Sequence, residues 1–217
     1  MGIFKVAIII PAFNESHTIQ NVVKEVSKYG TPIVVDDGSI DETSEIACKY
    51  GAKVVTHNTN LGYDNALSSG FLKAKEIGSE IAITFDADGQ HDSKMIQSYL
   101  KYLDDGYDLI CGNRKNKQRF GEIIFGLFTS IVYGIKDPLC GMKGYKMTLY
   151  NKLGHFDSYN SVGTELALFS IKNKFTFKEL DLSTSLREDN PRFADLFGGN
   201  YRIFRSLILS LIYIKKI

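Results

Sequence analysis

The chain has 217 residues and a formal net charge of +1, and 44% of its residues are hydrophobic. This composition provides enough apolar side chains for a sizeable core, and it excludes intrinsic disorder and collagen-like repetition. The length favours one domain with extensions over two domains. A net charge this close to zero gives no global field that attracts nucleic acid, so we expect no nucleic-acid partner.

No apolar stretch reaches the ~18 residues of a membrane-spanning helix. Residues 1–10 carry no cleavable signal pattern and enter a strand-like segment directly. The three cysteines, Cys48, Cys111 and Cys140, lie far apart and lack the spacing of metal ligands. This pattern predicts a reducing compartment, no zinc site and three ordinary buried thiols.

Short apolar runs alternate with helical periodicity through the first half of the chain. Ser39 and Glu42 have the spacing of a capping box, which predicts the start of a helix near residue 40. Asp92 or Ser93 is expected to cap a later helix that carries Met95 to Leu103. In chain order, strands are predicted at 6–10, 33–35, 54–55, 81–85 and 108–112. Besides the helix that carries Met95 to Leu103, helices are predicted at 19–26, 40–50 and 63–76.

The second half is less regular. Small and apolar residues alternate over 121–135, and a helix is predicted over 163–173. Residues 200–216 have a strong apolar stripe at helical spacing, with basic residues at its edges. Two interpretations of this stripe remain open: an amphipathic helix packed on the core, or an interfacial helix with basic anchors on anionic lipid.

Alternating helices and continuous apolar strands predict an α/β fold around a mostly parallel sheet. In such sheets, ligands bind at the carboxyl ends of the strands. Carboxylates follow three of the predicted strands: Glu15 the first, Asp36 and Asp37 the second, and Asp86 and Asp88 the fourth. Left unpaired, they would repel one another, and a Mg²⁺ or Mn²⁺ ion would relieve that repulsion.

An Asp-x-Asp sequence also arises by chance. The evidence for a cation site is therefore the position of these carboxylates directly after buried strands. Asp37 suits hydrogen bonding to a base or a ribose, whereas Asp36 and Ser39 are alternatively a turn residue and a cap. The glycine patterns of Rossmann dehydrogenases and of P-loop ATPases are absent from the sequence. A metal held by carboxylates is therefore the expected anchor for a diphosphate.

Five segments together resemble family 2 glycosyltransferases of the GT-A fold: IIIPAFNES, VVDDGSIDET, NLGYDNALSSGF, FDADGQHD and LICGNR. Residues 114–212 resemble, more weakly, the polyprenyl-phosphate sugar synthases of that family, through DPLCGMKGYK, Glu165, Arg187 and FADLFGGNYRIFRSLILSLI. The resemblance implies one GT-A domain with a Rossmann-like, mostly parallel sheet flanked by helices. Residues 1–112 would form its nucleotide-sugar half, and residues 113–217 its acceptor half with amphipathic helices.

The resemblance also implies a role for individual residues. Asp88 and Asp137 would be catalytic, with Asp137 near the transferred sugar. Arg187 and Arg192 would lie on a mobile loop that closes over the donor and would take part in binding the acceptor. The remaining implied roles are nucleotide binding by Pro11, Ala12, Phe13, Glu15, Asp37, Asp86 and Ala87, metal binding by Asp86, Asp88 and Gln90, and acceptor binding by Arg114, Lys115 and Arg119.

The implied partners are a GDP- or UDP-linked sugar, Mg²⁺ or Mn²⁺, and a polyprenyl phosphate of the dolichyl or undecaprenyl type. The stretch 121–135 and the C-terminal stripe would lie on the cytoplasmic face of a membrane. The sequence departs from the family pattern at Tyr63 and Asp64, which replace a glycine-containing pair, and at Lys143, where an aromatic residue followed by Arg is common.

The acceptor decides whether the reaction needs a base. A hydroxyl must lose a proton, so Asp137 or Glu165 would act as general base. A lipid phosphate is already ionised and needs only positive groups, such as the basic cluster 114–119. We favour the phosphate. A saccharide hydroxyl, a sugar-nucleotide binding module without turnover and a nucleotidyltransferase are the alternatives. No histidine is assigned a role.

Overall fold

A computed structural model of the protein describes residues 4–89, 91–114, 119–182 and 196–213. Strands and helices alternate as far as β5, and the pattern then becomes mixed. The elements are β1 (Val6–Ala12), α1 (Ile19–Val26), β2 (Thr31–Asp36), α2 (Thr43–Lys49), β3 (Lys53–Thr56), α3 (Tyr63–Glu76), β4 (Ile81–Thr84), α4 (Met95–Asp104), β5 (Leu109–Arg114), α5 (Phe120–Tyr133), β6 (Lys143–Lys146), α6 (Met147–Leu153), α7 (Glu165–Lys172), β7 (Phe177–Leu182) and α8 (Leu196–Tyr213).

The seven strands of the described residues form one sheet in the order β3-β2-β1-β4-β6-β5-β7. The pairs β1–β2, β1–β4, β2–β3 and β5–β7 are parallel, and β6 runs antiparallel to both of its neighbours. The predicted mostly parallel α/β sheet is therefore confirmed. Because β1, β2, β4 and β5 point the same way, the residues that follow them meet at one edge.

Helices cover both faces of the sheet. Successive strand residues alternate between the two faces, so Ile8 packs with α1, α2 and α4, and Ile9 packs with α3, α6 and α7. On the second face, the ring of Phe71 stacks on that of Phe156 with centroids 4.5 Å apart. Each face thus has its own apolar core, which fixes the sheet and with it the edge where the carboxylates lie.

The elements of the first half follow their predicted positions closely, and α3 has the bounds expected from its periodicity. The predicted capping box is wrong: α2 begins at Thr43, and Glu42 at its N-cap makes no side-chain capping bond. The Ser39 hydroxyl instead accepts a hydrogen bond from the backbone N–H of Asn14 at 2.8 Å. Cys48 is exposed, against the expectation of three buried thiols.

Some apolar side chains of the C-terminal stripe lie in the core, and others lie at the surface. On α8, Ile203 is buried, while Ile208 and Ile212 are exposed. Helix α8 packs against α5, where the side-chain oxygen of Asn200 accepts the N–H of Gly121 at 3.0 Å. No helix in the described part of the chain has the length and apolar character needed to cross a membrane.

Candidate functional site

Three carboxylates at the carboxyl edge of the sheet are satisfied by nearby protein groups. Asp36 accepts the backbone N–H of Ser39 at 2.9 Å and the hydroxyl of Ser44. Glu15 accepts the hydroxyl of Thr18 at 3.0 Å. Asp36 is therefore a turn residue, one of the two roles open to it from the sequence. Glu15 and Asp36 are therefore not left unpaired, and Asp86 and Asp88 are the pair that stays suited to a cation.

Asp37 lies directly after β2 and is almost fully buried. Its Oδ1 accepts hydrogen bonds from His57 Nδ1 at 2.7 Å and from the Leu61 N–H at 2.9 Å, and its Oδ2 accepts the Gly62 N–H at 2.7 Å. The two backbone donors precede α3, where the helix dipole also favours a negative charge. These three hydrogen bonds thus hold the Asp37 side chain in one orientation.

Asp86 follows β4 and is paired with a residue that received no role from the sequence. Its Oδ2 lies 2.9 Å from Nε2 of His91. Burial opposes ionisation of Asp86, but the hydrogen bond from His91 and the charges of His91 and Arg114 outweigh it, so the pKa of Asp86 lies below its usual value. The pairing raises the pKa of His91 despite burial of the ring. His91 therefore belongs to the site.

The backbone of Gly141 presses against Asp86. A β-carbon on Gly141 would stand 2.7 Å from Oδ1 of Asp86 and closer still to Oδ2. The carbonyl of Gly141 accepts the hydroxyl of Thr84 at 2.6 Å, which holds this loop to the end of β4. Only glycine leaves the Asp86 carboxylate in its present place.

Arg114 and Asp137 form a bidentate ion pair. The guanidinium donates from Nε to Oδ2 at 2.8 Å and from Nη2 to Oδ1 at 3.0 Å, and Oδ2 also accepts the backbone N–H of Arg114. Nη2 lies 3.5 Å from a carboxylate oxygen of Glu122 on α5. Within the part of the chain that the structure describes, Nη1 makes no hydrogen bond, and the side chain stays 20% exposed.

Asp64 and Lys143 both bind the backbone of Gly163, Asp64 at its N–H and Lys143 at its carbonyl. Asp64 accepts the N–H of Gly163 at 2.6 Å and that of Val162 at 3.2 Å. The ammonium of Lys143 donates to the carbonyls of Gly163 at 3.1 Å and Cys140 at 2.7 Å. Burial lowers the pKa of Lys143. The two positions that depart from the family pattern, 64 and 143, are thus joined through the loop before α7.

Asp64 makes the stability of the fold depend on pH. Burial, and then the charge of Asp157, raise its pKa from 3.8 to about 6. The folded chain therefore keeps this proton to a higher pH, so the contribution of Asp64 to stability is greatest below pH 3.8 and is lost as the pH rises through 6. Between wild type and Asp64→Asn, we expect the difference in unfolding free energy to change by about 3 kcal/mol over that range.

The measurement is urea denaturation of both proteins at a series of pH values. Glu76→Gln is the control, because Glu76 is an exposed carboxylate paired with Lys73. Its stability curve should run parallel to that of wild type. If the Asp64→Asn curve is also parallel, the burial of Asp64 does not raise its pKa as described.

Glu165, a candidate general base, is fully buried at the start of α7. Its carboxylate accepts the hydroxyl and the backbone N–H of Ser158 and lies 3.0 Å from Nε2 of His155. These contacts tie α7 to the loop before it and place no oxygen of Glu165 at the surface.

The remaining predicted site residues lie at the same edge or outside the described residues. Ala12 and Ala87 are buried, and the carbonyl of Ala12 accepts the N–H of Asp37 at 2.8 Å. Arg119 precedes α5, and its guanidinium carbon would lie 3.2 Å from a β-carbon on Gly199. Pro11, Phe13 and Asp88 are partly exposed, and Gln90, Lys115, Arg187 and Arg192 lie outside the described residues.

The carboxylates suit a divalent cation that a ligand completes. Among the described residues, no three His, Cys, Asp or Glu side chains form a metal cage. Mg²⁺ is commonly held by one or two carboxylates, with phosphate oxygens and water filling its other positions. Asp86 and Asp88 provide two carboxylates separated by one residue along the chain, with the oxygen ligands that Mg²⁺ and Mn²⁺ prefer. The residues present therefore fit such an ion.

The sequence matches the model of the glycosyl transferase family 2 over residues 7–163. The chain belongs to this family, and the protein is a glycosyltransferase. The UDP-N-acetylglucosamine–dolichyl-phosphate N-acetylglucosaminyltransferase of Methanococcus voltae is 28% identical over an alignment of 236 positions, which covers 93% of this chain and 94% of that protein. The dolichyl-phosphate hexose transferase of Haloferax volcanii is 25% identical and covers 93% of this chain and 92% of its own.

Solved structures agree on the fold. Glucosyl-3-phosphoglycerate synthase from Mycobacterium tuberculosis, in complex with Mn²⁺, UDP and phosphoglyceric acid, superposes with a TM-score of 0.73 at 19% identity. The match covers 95% of this chain and 78% of that one. The predicted GT-A fold is thereby confirmed.

Proposed function

We propose that this protein transfers a sugar from a GDP- or UDP-linked donor to a polyprenyl phosphate, with inversion at the anomeric carbon. An oxygen of the acceptor phosphate attacks that carbon as its bond to the diphosphate breaks, and the electron pair leaves with the diphosphate. One GT-A domain would carry out the reaction. Residues 1–112 would bind the donor, and residues 113–217 would bind the acceptor. Two dolichyl-phosphate glycosyltransferases aligned over more than 90% of this chain support this reading.

The donor is assigned to the edge formed by β1, β2 and β4. Asp37 would bind the base or the ribose, and Pro11, Ala12, Phe13 and Glu15 would line the nucleotide beside Ala87. Asp86 and Asp88 would hold Mg²⁺ or Mn²⁺, with Gln90. A cation bound there supplies a Lewis acid for the charge on the departing diphosphate. His91 orients one oxygen of Asp86 and keeps that carboxyl ionised.

Gly141→Ala tests the placement of Asp86. The added methyl group would force the Asp86 carboxylate to move, because no space exists between them. We expect kcat/KM for the donor to fall about 10²-fold, while the melting temperature stays near that of wild type. Steady-state kinetics and thermal denaturation provide the two readouts. Gly78→Ala is the control for activity: its φ of +72° makes an alanine there cost some stability, but nothing lies within 4 Å of the added carbon, so its kcat/KM should equal that of wild type. Equal activity in both variants would argue against this role of Asp86.

One observation carries the choice of a phosphate acceptor: protein groups already occupy both carboxylates that were candidates for a general base. Both oxygens of Asp137 accept from Arg114, and both oxygens of Glu165 are engaged by His155 and Ser158. A phosphate needs no base, because it is ionised near neutral pH. Arg114 would meet it with Nη1, and Arg119, Lys115, Arg187 and Arg192 would add charge.

An exposed apolar surface adjoins these basic residues. On α5, which begins one residue after Arg119, Ile123, Leu127 and Ile131 are 51%, 63% and 77% exposed and recur every four residues along one face. On α8, which packs against α5, Ile208 and Ile212 are also exposed. A lipid chain and its bilayer would cover this face. We therefore place the protein peripherally on the cytoplasmic face of a membrane.

Replacing Leu127 and Ile131 by Ser should weaken binding to liposomes containing anionic lipid by about 10²-fold or more, because two large apolar contacts of roughly 1.5–3 kcal/mol each are lost. The matched control is Ile40→Ser with Leu72→Ser, since both residues are exposed but lie away from α5. Vesicle co-sedimentation measures the partition coefficient. Equal binding by the two double variants would contradict a membrane role for α5.

The reaction itself is tested with purified protein, polyprenyl phosphate, a panel of nucleotide sugars, and Mn²⁺ or Mg²⁺ with a chelator control. Mass spectrometry of the extracted lipid should show a metal-dependent gain of one sugar. Release of nucleoside diphosphate without a lipid product would move the acceptor to a saccharide hydroxyl. A folded protein that does neither would overturn the proposed reaction.

A further inference from the structure

We propose that His57 makes this site selective for a uridine nucleotide over a guanosine nucleotide, by occupying an acceptor position on Asp37. This inference rests on the proposed function, in which Asp37 contacts the base of the donor. No sequence pattern assigns His57 a role. The structure places it between Asp37 and helix α3.

The hydrogen bonds to Asp37 leave little capacity for a ligand. An ionised carboxylate has about four lone-pair positions, two on each oxygen. Oδ1 uses both of its positions on His57 at 2.7 Å and the Leu61 N–H at 2.9 Å. Oδ2 uses one on the Gly62 N–H at 2.7 Å. Among the described residues these are the donors to the side chain, so Asp37 keeps one free position, on Oδ2.

His57 is fixed in the orientation that fills Oδ1. Its ring Nε2 lies 2.8 Å from the hydroxyl of Ser69 on α3, and its backbone N–H donates to the carbonyl of Asp36 at 2.9 Å. The carboxylate at Nδ1 requires that nitrogen to carry the proton. Because the ring is held at both nitrogens and its side chain is only 9% exposed, it does not swing away to make room for a base.

The loop that carries these donors is held closely around Asp37. Gly38 has a φ of +77°, and a β-carbon there would stand 2.6 Å from the carbonyl carbon of Thr59. The missing side chain at position 38 therefore lets residues 57–62 close over the carboxylate. Opening this loop to free Oδ1 would break three hydrogen bonds to Asp37 at once.

The two candidate bases differ in the number of hydrogen-bond donors that they present to a carboxylate. Guanine presents two neighbouring donors, N1–H and the N2 amino group, and a carboxylate receives both by using both oxygens. Uracil presents one donor, N3–H, between two carbonyl oxygens. A single free position on Oδ2 satisfies uracil, whereas guanine would leave one of its donors buried without a partner, which costs binding free energy.

The test compares the affinities of UDP and GDP, each with Mn²⁺, by isothermal titration calorimetry on the full chain. Wild type should bind UDP at least ~10-fold more tightly than GDP. In His57→Ala, Oδ1 regains an acceptor position, so this ratio should fall toward 1. His57→Asn should restore the ratio, because the Asn Nδ2 group matches the position of Nδ1. A merely structural role would weaken both nucleotides together and leave the ratio unchanged, which would overturn the inference.

Failure of the inference is distinguishable from failure of the proposed function. Tighter binding of GDP, or of ADP or CDP, than of UDP would overturn the uridine assignment and leave a nucleotide-sugar transferase in place. Absence of binding by all four nucleotides, with either Mn²⁺ or Mg²⁺ and with the protein folded, would overturn both.

Discussion

Asp88→Asn should lower kcat/KM at least ~10³-fold, because in the proposed reaction a cation held by Asp86 and Asp88 would take up several kcal/mol of developing charge. The amide keeps the size of the side chain but loses its charge and half of its ligand capacity. Asp86 then remains the only carboxylate of the pair, and one of its oxygens is already bonded to His91. The measurement is initial rate against Mn²⁺ concentration, with added metal recovering only part of the loss.

Asp92→Asn is the matched control for this substitution. Asp92 lies four residues further along, is exposed, and accepts the N–H of Lys94 at 2.9 Å, which an Asn side chain also does well. Its activity and metal dependence should equal those of wild type. Full activity in Asp88→Asn would exclude Asp88 from cation binding and move the donor diphosphate away from β4.

The sheet and its functional edge follow from local patterns. Continuous apolar strands such as β1 and β4, separated by helices of clear 3.6-residue periodicity, require parallel pairing with right-handed crossovers. That topology puts the residues after β1, β2 and β4 together wherever the helices lie. The edge that carries Asp37 and Asp86 was therefore predictable before any contact was known.

Elements with short or mixed patterns were not predictable in the same way. β6 is only four residues long, contains Gly144 and Lys143, and is buried because it lies between β4 and β5. β7 alternates charged and apolar residues weakly and takes its place by pairing with β5. Their identity as strands depends on partners distant in the chain, and no local propensity encodes those partners.

The site residues show the same division. Asp86 was identified by its position after a strand, but its partner His91 was not, because a single histidine gives no signal until the loop geometry is known. His57 was missed for the same reason, although its neighbour NLG belongs to a segment that carried the resemblance. The Ser39–Glu42 pattern was misleading, because the Ser39 hydroxyl is used by Asn14 across the β1–β2 edge.

Arg114 and Asp137 were both singled out, but as independent residues with separate roles. Their pairing spans 23 positions and depends on β5 and the loop before β6 being neighbours. The pairing raises the pKa of Arg114, because the hydrogen bond and charge of Asp137 outweigh the effect of burial. The pairing also favours a different role for Asp137: it orients the guanidinium of Arg114 and does not act as a general base.

Asp137→Asn should lower the unfolding free energy by roughly 3–5 kcal/mol, because the largely buried Arg114 loses the carboxylate that accepts both of its hydrogen bonds and keeps only Glu122, 3.5 Å away. For a chain of this length, that corresponds to a fall in melting temperature of about 10 °C. The exposed pair offers the control: Glu76→Gln removes the partner of Lys73 and should cost less than ~1 kcal/mol.

A double variant distinguishes the net contribution of the ion pair from the cost of leaving one buried charge unpaired. Arg114→Met with Asp137→Leu removes both charges, so it should be less destabilised than Asp137→Asn alone. Transfer activity should nevertheless remain low in the double variant, since the acceptor phosphate loses its guanidinium. If instead the double variant recovers transfer, Arg114 does not bind the acceptor. If the two single substitutions simply add, the ion pair is not what holds β5 to the loop before β6, and the assignment of Asp137 as a positioning residue fails with it.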